Sequence, residues 1–393
     1  MLESDSSVDV ELIADRARSL WREGSATVST ARIELFAKLA CRLRVARERG
    51  ASRATIHRSV ESGLAVRAIR AGHDLAGFAS SSGMNSDVLR WAVDTATSYH
   101  AQASASRPQA AHVAAERWDL DRGMGLPAED ALTHALLSRP GVSWIEAGTT
   151  VEVLVGAEGW LAARRRHRMW ALIDRPTARL VAQRGFSGWE AMLDAPERGL
   201  VPAGSTRPAG REFLVFTPEA AAAVVTALVG QFHGAGMGVR TRSGVGWDIA
   251  DEPSRPKGLA GGTFDDAGFS ATDRVLAKDG LWVGSLEGPG SLWRSSFRNP
   301  PVESASNLVM DGGITGRVPP DAAIVERSHV VRAAAHLWVL ELEFREGGAE
   351  DRRWVRLNPE LLLGACRSRL GDAQVTAEGP IVPALVFEAL PTA

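Results

Sequence analysis

The sequence predicts an α+β fold, and three features carry that prediction. Residues 33–45 alternate apolar and polar side chains, several shorter segments repeat at helical spacing, and the second half breaks into many short strand-like runs. At 393 residues, the chain has room for two or three domains of roughly 150 residues each.

Composition narrows the classes of partner. The 45 basic and 47 acidic residues leave a formal net charge of −2, which favours neither nucleic acid nor an anionic membrane surface. Cys41 and Cys366 are the only cysteines, so a disulfide framework and an all-cysteine zinc knuckle are both excluded. The first residues carry early acids and no signal-like apolar core, and no window approaches about 18 uninterrupted apolar residues. A cytoplasmic protein is the expectation.

The elements follow in order. Val10, Ile13, Ala17, Leu20 and Trp21 fall at helical spacing, with Gly24 as the expected stop. The next segment is rich in good helix formers, yet Ile33, Leu35, Ala37, Leu39, Cys41, Leu43 and Val45 occupy every second position. Seven matches on one face outweigh propensity, so a long strand is expected there. Further strands should run through residues 53–83, with turns at Glu61–Gly63 and Ala71–Asp74. Asn85, Ser86 and Asp87 mark the start of a helix carrying Val88, Leu89, Ala92, Val93 and Ala96. Residues 104–113 read as a connector and 127–137 as a helix.

Residues 143–184 read as a meander with turns at Ala157–Gly159 and Asp174–Thr177. Within it the run RRRHR at 164–168 is expected to be the solvated face of a strand. Proline and glycine gather near residue 200, which divides the chain into an amino-terminal domain, 1–200, and a carboxyl-terminal β-rich domain, 201–393.

The chemistry-bearing stretches are few. PEAAAAVVTALVGQFHGAG at 218–236 reads as a helix of small side chains running into glycines, with His233 just past its end. GAGMG at 234–238 lacks the strand before and helix after that a phosphate loop needs. GSLEG at 284–288 places its serine one position too early for a nucleophile elbow, and no two histidines share a chelating helical spacing. Asp248, Asp251, Glu252, Asp265 and Asp266 form an acidic stretch. Carboxylates so placed can bind a cation or move protons, but they are also the ordinary material of turns.

One resemblance ties these pieces together. DEPSRPKGLAGGTFDDAG at 251–268, followed by LAKDGLWVG at 276–284, resembles the signature of the TldD/PmbA family of zinc peptidases. SGLAVRAIRAGHDLAGFASSSGMNSDVLRWAVDTA is similar to the family's amino-terminal pattern, and SLWRSSFRNPPVESASNLVMDGG to its later one. Together they cover most of residues 30–313. Ala267 stands where the family box carries glutamate, so that glutamate's role is not carried over.

The resemblance implies an amino-terminal α/β layer domain and a carboxyl-terminal domain around a barrel-like sheet. It also places the H-E-x-x-x-H zinc hexad of the TldD branch on Thr226, Ala227, Leu228, Val229, Gly230 and Gln231. Zinc needs imidazole, thiolate or carboxylate donors, and a methyl group cannot act as a base. His233 lies two residues further on, about 200° around a continued helix, so it is expected to be structural or to line substrate. The family's third ligand is a cysteine near the carboxyl terminus, but the surroundings of Cys366 read as a helix with an apolar face, where a cysteine packs as a small hydrophobe.

The implied function is that of the zinc-free TldE/PmbA branch, with no cofactor in this chain. The implied partner is a TldD-like zinc subunit in a heterodimer whose chamber cleaves unfolded or leader peptides. Asp265 and Asp266 are then candidates, with His233, for lining substrate. Twelve tryptophans against one tyrosine hint at an apolar pairing surface. Two readings of other classes stand beside it: a self-sufficient hydrolase built on the aspartates at 248–266, and a scaffold that binds peptide without cleaving it.

Overall fold

The computed structural model describes residues 9–388 apart from 29–30, 49–52, 71–74, 99–100, 103–115, 122–124, 175–178, 195–212, 233–245, 257, 313–314, 320–321, 335–336, 347–348, 359–361, 363–364 and 377–378. The chain divides into two units. The first comprises Met1–Asp194 together with Gly262–Ala271 and Gly288–Glu303, and the second comprises Ala195–Gly261, Thr272–Glu287 and Ser304–Ala393.

Helix α1 (Val10–Thr27) begins where the Asp9 carboxylate accepts the N–H groups of Glu11 and Leu12, at 2.9 and 3.2 Å. It continues past Gly24, the expected stop, because that glycine is a contact point rather than a terminator. A Cβ there would lie 2.8 Å from Ile33 Cδ1. Strand β1 (Ala31–Arg47) is the long strand the alternation predicts, and it pairs along its whole length with β2 (Ala54–Arg70).

No turn interrupts β2 at residues 61–63. Gly63 stays in the strand opposite Lys38, and its bare Cα makes room for the Phe297 ring, which would lie 2.3 Å from a Cβ. The expected turn at 71–74 and connector at 104–113 fall outside the described residues.

Next come β3 (Leu75–Ser82), α2 (Ser86–Ser98), β4 (Ala101–Gln102), β5 (Glu116–Leu120) and α3 (Glu129–Ser138). The expected helix start is in place at α2, where Asn85 Oδ1 accepts the Val88 N–H at 2.9 Å. The meander is β6 (Val142–Val155), β7 (Leu161–Ile173) and β8 (Arg179–Arg184), followed by α4 (Glu190–Asp194). The eight strands form one sheet in the order β4-β3-β2-β1-β6-β7-β5, with β8 also paired to β7. Strand β5, which the sequence reading missed, joins β7 in parallel.

Period two divides this sheet into two faces. Ile33, Leu35, Leu64, Val66, Val151 and Val153 pack against α1 and α2 and are almost fully buried, each such side chain contributing about 1.5–3 kcal/mol. Leu43, Val45, Ile145 and Met169 continue that face against Leu132 and Leu136 of α3. On the opposite face, Phe36, Ala65, Leu154 and Ala162 are covered by Phe264 and Phe297 from the two later segments of the same unit. A one-residue slip of register would exchange these faces.

The rest of the chain supplies β9 (Phe213–Phe216), α5 (Pro218–Phe232), β10 (Trp247–Asp251), β11 (Arg274–Lys278), β12 (Leu281–Trp282), β13 (Leu292–Trp293), β14 (Val302–Glu303) and β15 (Leu308–Gly312). It closes with β16 (Ala323–Ala334), β17 (Leu337–Glu346), β18 (Ala349–Leu357), β19 (Cys366–Val375) and β20 (Ile381–Glu388). The β13–β14 hairpin belongs to the first unit.

The second unit is a ten-stranded sheet, β12-β11-β10-β15-β20-β9-β16-β17-β18, with β19 on β20. Trp282 of β12 and Leu357 of β18, at opposite ends of that path, share one core cluster with Ala221, Val225 and Leu228 of α5. Helix α5 packs against β16, β20 and β9 within that cluster, and the fold is α+β with a β-rich carboxyl-terminal region. No helix among the described residues is long and apolar enough to cross a membrane.

Candidate functional site

Helix α5 carries the six positions that the resemblance assigns to a zinc hexad. It starts at Thr217, whose hydroxyl accepts the Ala220 N–H at 3.3 Å and donates to the Glu326 carbonyl at 2.8 Å. Ala220, Ala221, Ala222, Val224, Val225, Leu228 and Val229 are all buried, so the helix is held by packing on most of its circumference. Thr226 is exposed, Ala227 packs at the edge of the core, and Gln231 is half-buried. The Gln231 amide oxygen accepts the indole N–H of Trp338, a fully buried side chain of β17. A hydroxyl, a methyl and an amide already engaged do not fit a zinc site.

His233 lies outside the described residues, as do the glycines after it. Among the described residues no three His, Cys, Asp or Glu side chains gather as a metal-ligating group. Cys366 opens strand β19 rather than sitting within a helix. The helical reading holds only for the described residues Leu362 and Ala365 just before it. Its thiol lies in the cluster around α5, where burial pushes its pKa up to about 12 and makes it a poor thiolate.

The box at 264–268 is an interior loop of the first unit. Asp265 is fully buried, and its two oxygens accept four backbone N–H groups. Oδ1 takes Phe269 at 2.9 Å and Ala267 at 3.0 Å, and Oδ2 takes Gly290 at 2.8 Å and Leu292 at 3.2 Å. Gly268, at φ +86°, brings its backbone against the Trp160 ring, which would lie 2.1 Å from a Cβ. Asp266 is buried as well. Its Oδ1 pairs with Arg164, and its Oδ2 accepts the Arg294 N–H at 2.5 Å. Both carboxylates therefore bind their own unit's backbone and guanidinium groups.

The Arg-rich run on β7 overturns its expected role. Arg164, Arg166 and His167 are buried, not solvated. Arg164 pairs with Glu152 across the β6–β7 ladder and with Asp266, and Arg166 pairs with Asp119 of β5. Burial alone would raise the Asp119 pKa, but Arg166 and the Thr263 N–H at 2.7 Å outweigh it and hold the carboxyl below its usual range. Gly262 admits this pair, since a Cβ there would lie 2.3 Å from the Arg166 guanidinium. Asp121, just beyond β5, accepts the His167 N–H at 2.9 Å and two donors from Arg184. One sequence signal was available: Asp119 and Asp121 are two residues apart, the spacing of one strand face, and so are Arg164, Arg166 and Arg168 on β7.

The remaining acids of the 248–266 stretch do not converge. Asp248 pairs with Lys278 at 2.6 Å, and Glu252 with Arg255 at 2.6 Å. Asp251 is buried, its Oδ1 accepting the N–H groups of Ser306 and Asn307, both at 2.9 Å, and burial pushes its carboxyl up.

No protein-family model matches this chain, and no curated protein matches it in sequence. Solved structures do match in fold. TldE from Thermococcus kodakarensis superposes with a TM-score of 0.67 at 15% identity, covering 96% of this chain and 100% of that one. A protein from Thermotoga maritima, described as a candidate modulator of a DNA gyrase, gives 0.58 at 13% identity over 98% of this chain and 100% of that one. Another so described, from Bacteroides thetaiotaomicron, gives 0.57 at 13% identity over 97% and 98%. This chain has the fold those proteins share.

Proposed function

We propose that this chain is a zinc-free, TldE-like subunit that pairs with a TldD-like zinc peptidase and helps to shape a chamber for unfolded or leader peptides. The observation that carries this reading is the state of α5. At the hexad positions, Thr226, Ala227 and Gln231 offer no zinc donor set, and Gln231 is committed to Trp338. Likeness in fold to TldE from Thermococcus kodakarensis over nearly the whole chain supports it. An extended peptide held by backbone hydrogen bonds along a strand edge suits a substrate chosen for being unfolded rather than for its sequence. The self-sufficient hydrolase built on the 248–266 aspartates is less favoured, because Asp265 and Asp266 are buried and engaged.

The test is reconstitution. The purified chain alone should hold no stoichiometric zinc by elemental analysis. Mixed with a TldD-like zinc chain it should form a one-to-one complex by light scattering. Peptide cleavage should require both chains and survive His233→Ala with at most a modest loss. Cleavage by this chain alone, abolished by His233→Ala, would overturn the proposal.

A further inference from the structure

On the face of the first unit's sheet that turns away from α1 and α2, the even-numbered residues of β1, β6 and β7 stand side by side. Phe264 and Phe297 cover one end of this face. At the other end lies a hollow of about 300 Å³ lined by Lys38, Arg42, Trp144, Glu146, Arg168 and Trp170. Its floor is Gly148, which faces Arg42 on one neighbouring strand and Arg168 on the other. The missing side chain creates the depth, since a Cβ there would lie 3.2 Å from the Trp170 ring and 3.6 Å from Arg42 Cγ.

The charges around this hollow do not balance. Arg166 and Glu152 also reach it, but Asp119 and Arg164 neutralise them, which leaves Lys38, Arg42 and Arg168 against the single carboxylate of Glu146. Lys38 is only loosely paired, with Glu61 at 3.7 Å. Arg42 and Arg168 make no hydrogen bond or ion pair with any described residue. Arg168 is the telling one, because its Nε is enclosed and unpartnered while the side chain lines the hollow. Enclosing a guanidinium nitrogen without a partner is costly. A fold that pairs Arg164, Arg166 and Arg184 with dedicated carboxylates gives this one none among the described residues.

We infer that the hollow is an oxyanion-binding site, in which Arg168, with Lys38 and Arg42, takes a carboxylate or phosphate whose apolar body rests against Trp144 and Trp170. A guanidinium fork matches either group in two parallel hydrogen bonds. Under the peptide reading above, on which only the source of the anion rests, the group is the carboxyl terminus or an acidic side chain of the bound peptide.

Titration calorimetry on the purified full chain tests this with three probes: a short peptide with a free carboxyl terminus, the same peptide as its terminal amide, and inorganic phosphate. Saturable binding of the free-acid peptide or of phosphate is expected, weakened about tenfold or more by Arg168→Gln and less by Arg168→Lys. Arg168→Gln should leave thermal stability nearly unchanged, because no carboxylate among the described residues is ion-paired or hydrogen-bonded to Arg168 and Glu152, the acid nearest in influence, keeps Arg164. Should it fail to fold, Arg42→Gln at an exposed position reads the same loss. Binding of phosphate without the free-acid peptide would support the site and count against the peptide source. No binding of either up to about 10 mM, or binding indifferent to both substitutions, would overturn the inference.

Discussion

Asp265 shows what a single buried carboxylate can organise. Its four N–H donors come from both later segments of the first unit, the box at 264–269 and the turn at 290–292. Asp265→Asn keeps the shape but turns an amide NH₂ toward donors. We expect a loss of several kcal/mol, since each buried group left unsatisfied costs about 1–3 kcal/mol. Urea denaturation reads it directly, and a change below about 0.5 kcal/mol would show that the loop does not depend on this residue. The resemblance in sequence pointed to the box, but not to its inward role. The Arg-rich run departs from its expected solvated face for a related reason. Alternation predicts which residues share a face, but not whether that face is wet, and here Asp119 and Asp266 supply its partners from 40 or more residues away in sequence.

At the scale of elements, strand β1 was legible because seven apolar matches at period two have no helical explanation. The glycines were not legible in the same way. Gly24 and Gly63 carry the pattern of a stop and a turn, yet each sits inside an element because Ile33 or Phe297 needs the space. Only the fold names those neighbours. Helix α5 was legible as a helix, but its tie to β17 could not be seen from the sequence. Gln231→Leu should remove the acceptor for the buried Trp338 indole and cost about 1–3 kcal/mol, whereas Gln231→Glu keeps an acceptor and should cost less. Equal stability of parent and Gln231→Leu by thermal denaturation would mean that packing alone fixes the helix.

For the whole molecule, the discontinuity of the first unit matters most. A fragment of residues 1–200 lacks Phe264 and Phe297, which cover the apolar end of its sheet, and lacks Asp266, which pairs with the buried Arg164. Such a fragment should bind a hydrophobic dye, show weak near-ultraviolet dichroism and melt without a sharp transition. Adding a peptide of residues 262–303 should restore a cooperative melt. A fragment that melts sharply by itself would refute the dependence. The same discontinuity sets a clock on synthesis. The ribosome must add roughly a hundred residues beyond Asp194 before Glu303 exists, which takes about 5–20 s at ordinary elongation rates. During that interval the nascent first unit displays Phe36 and Ala162 to the surrounding cell. Its folding is therefore gated by translation, and chaperones have a window in which to meet it.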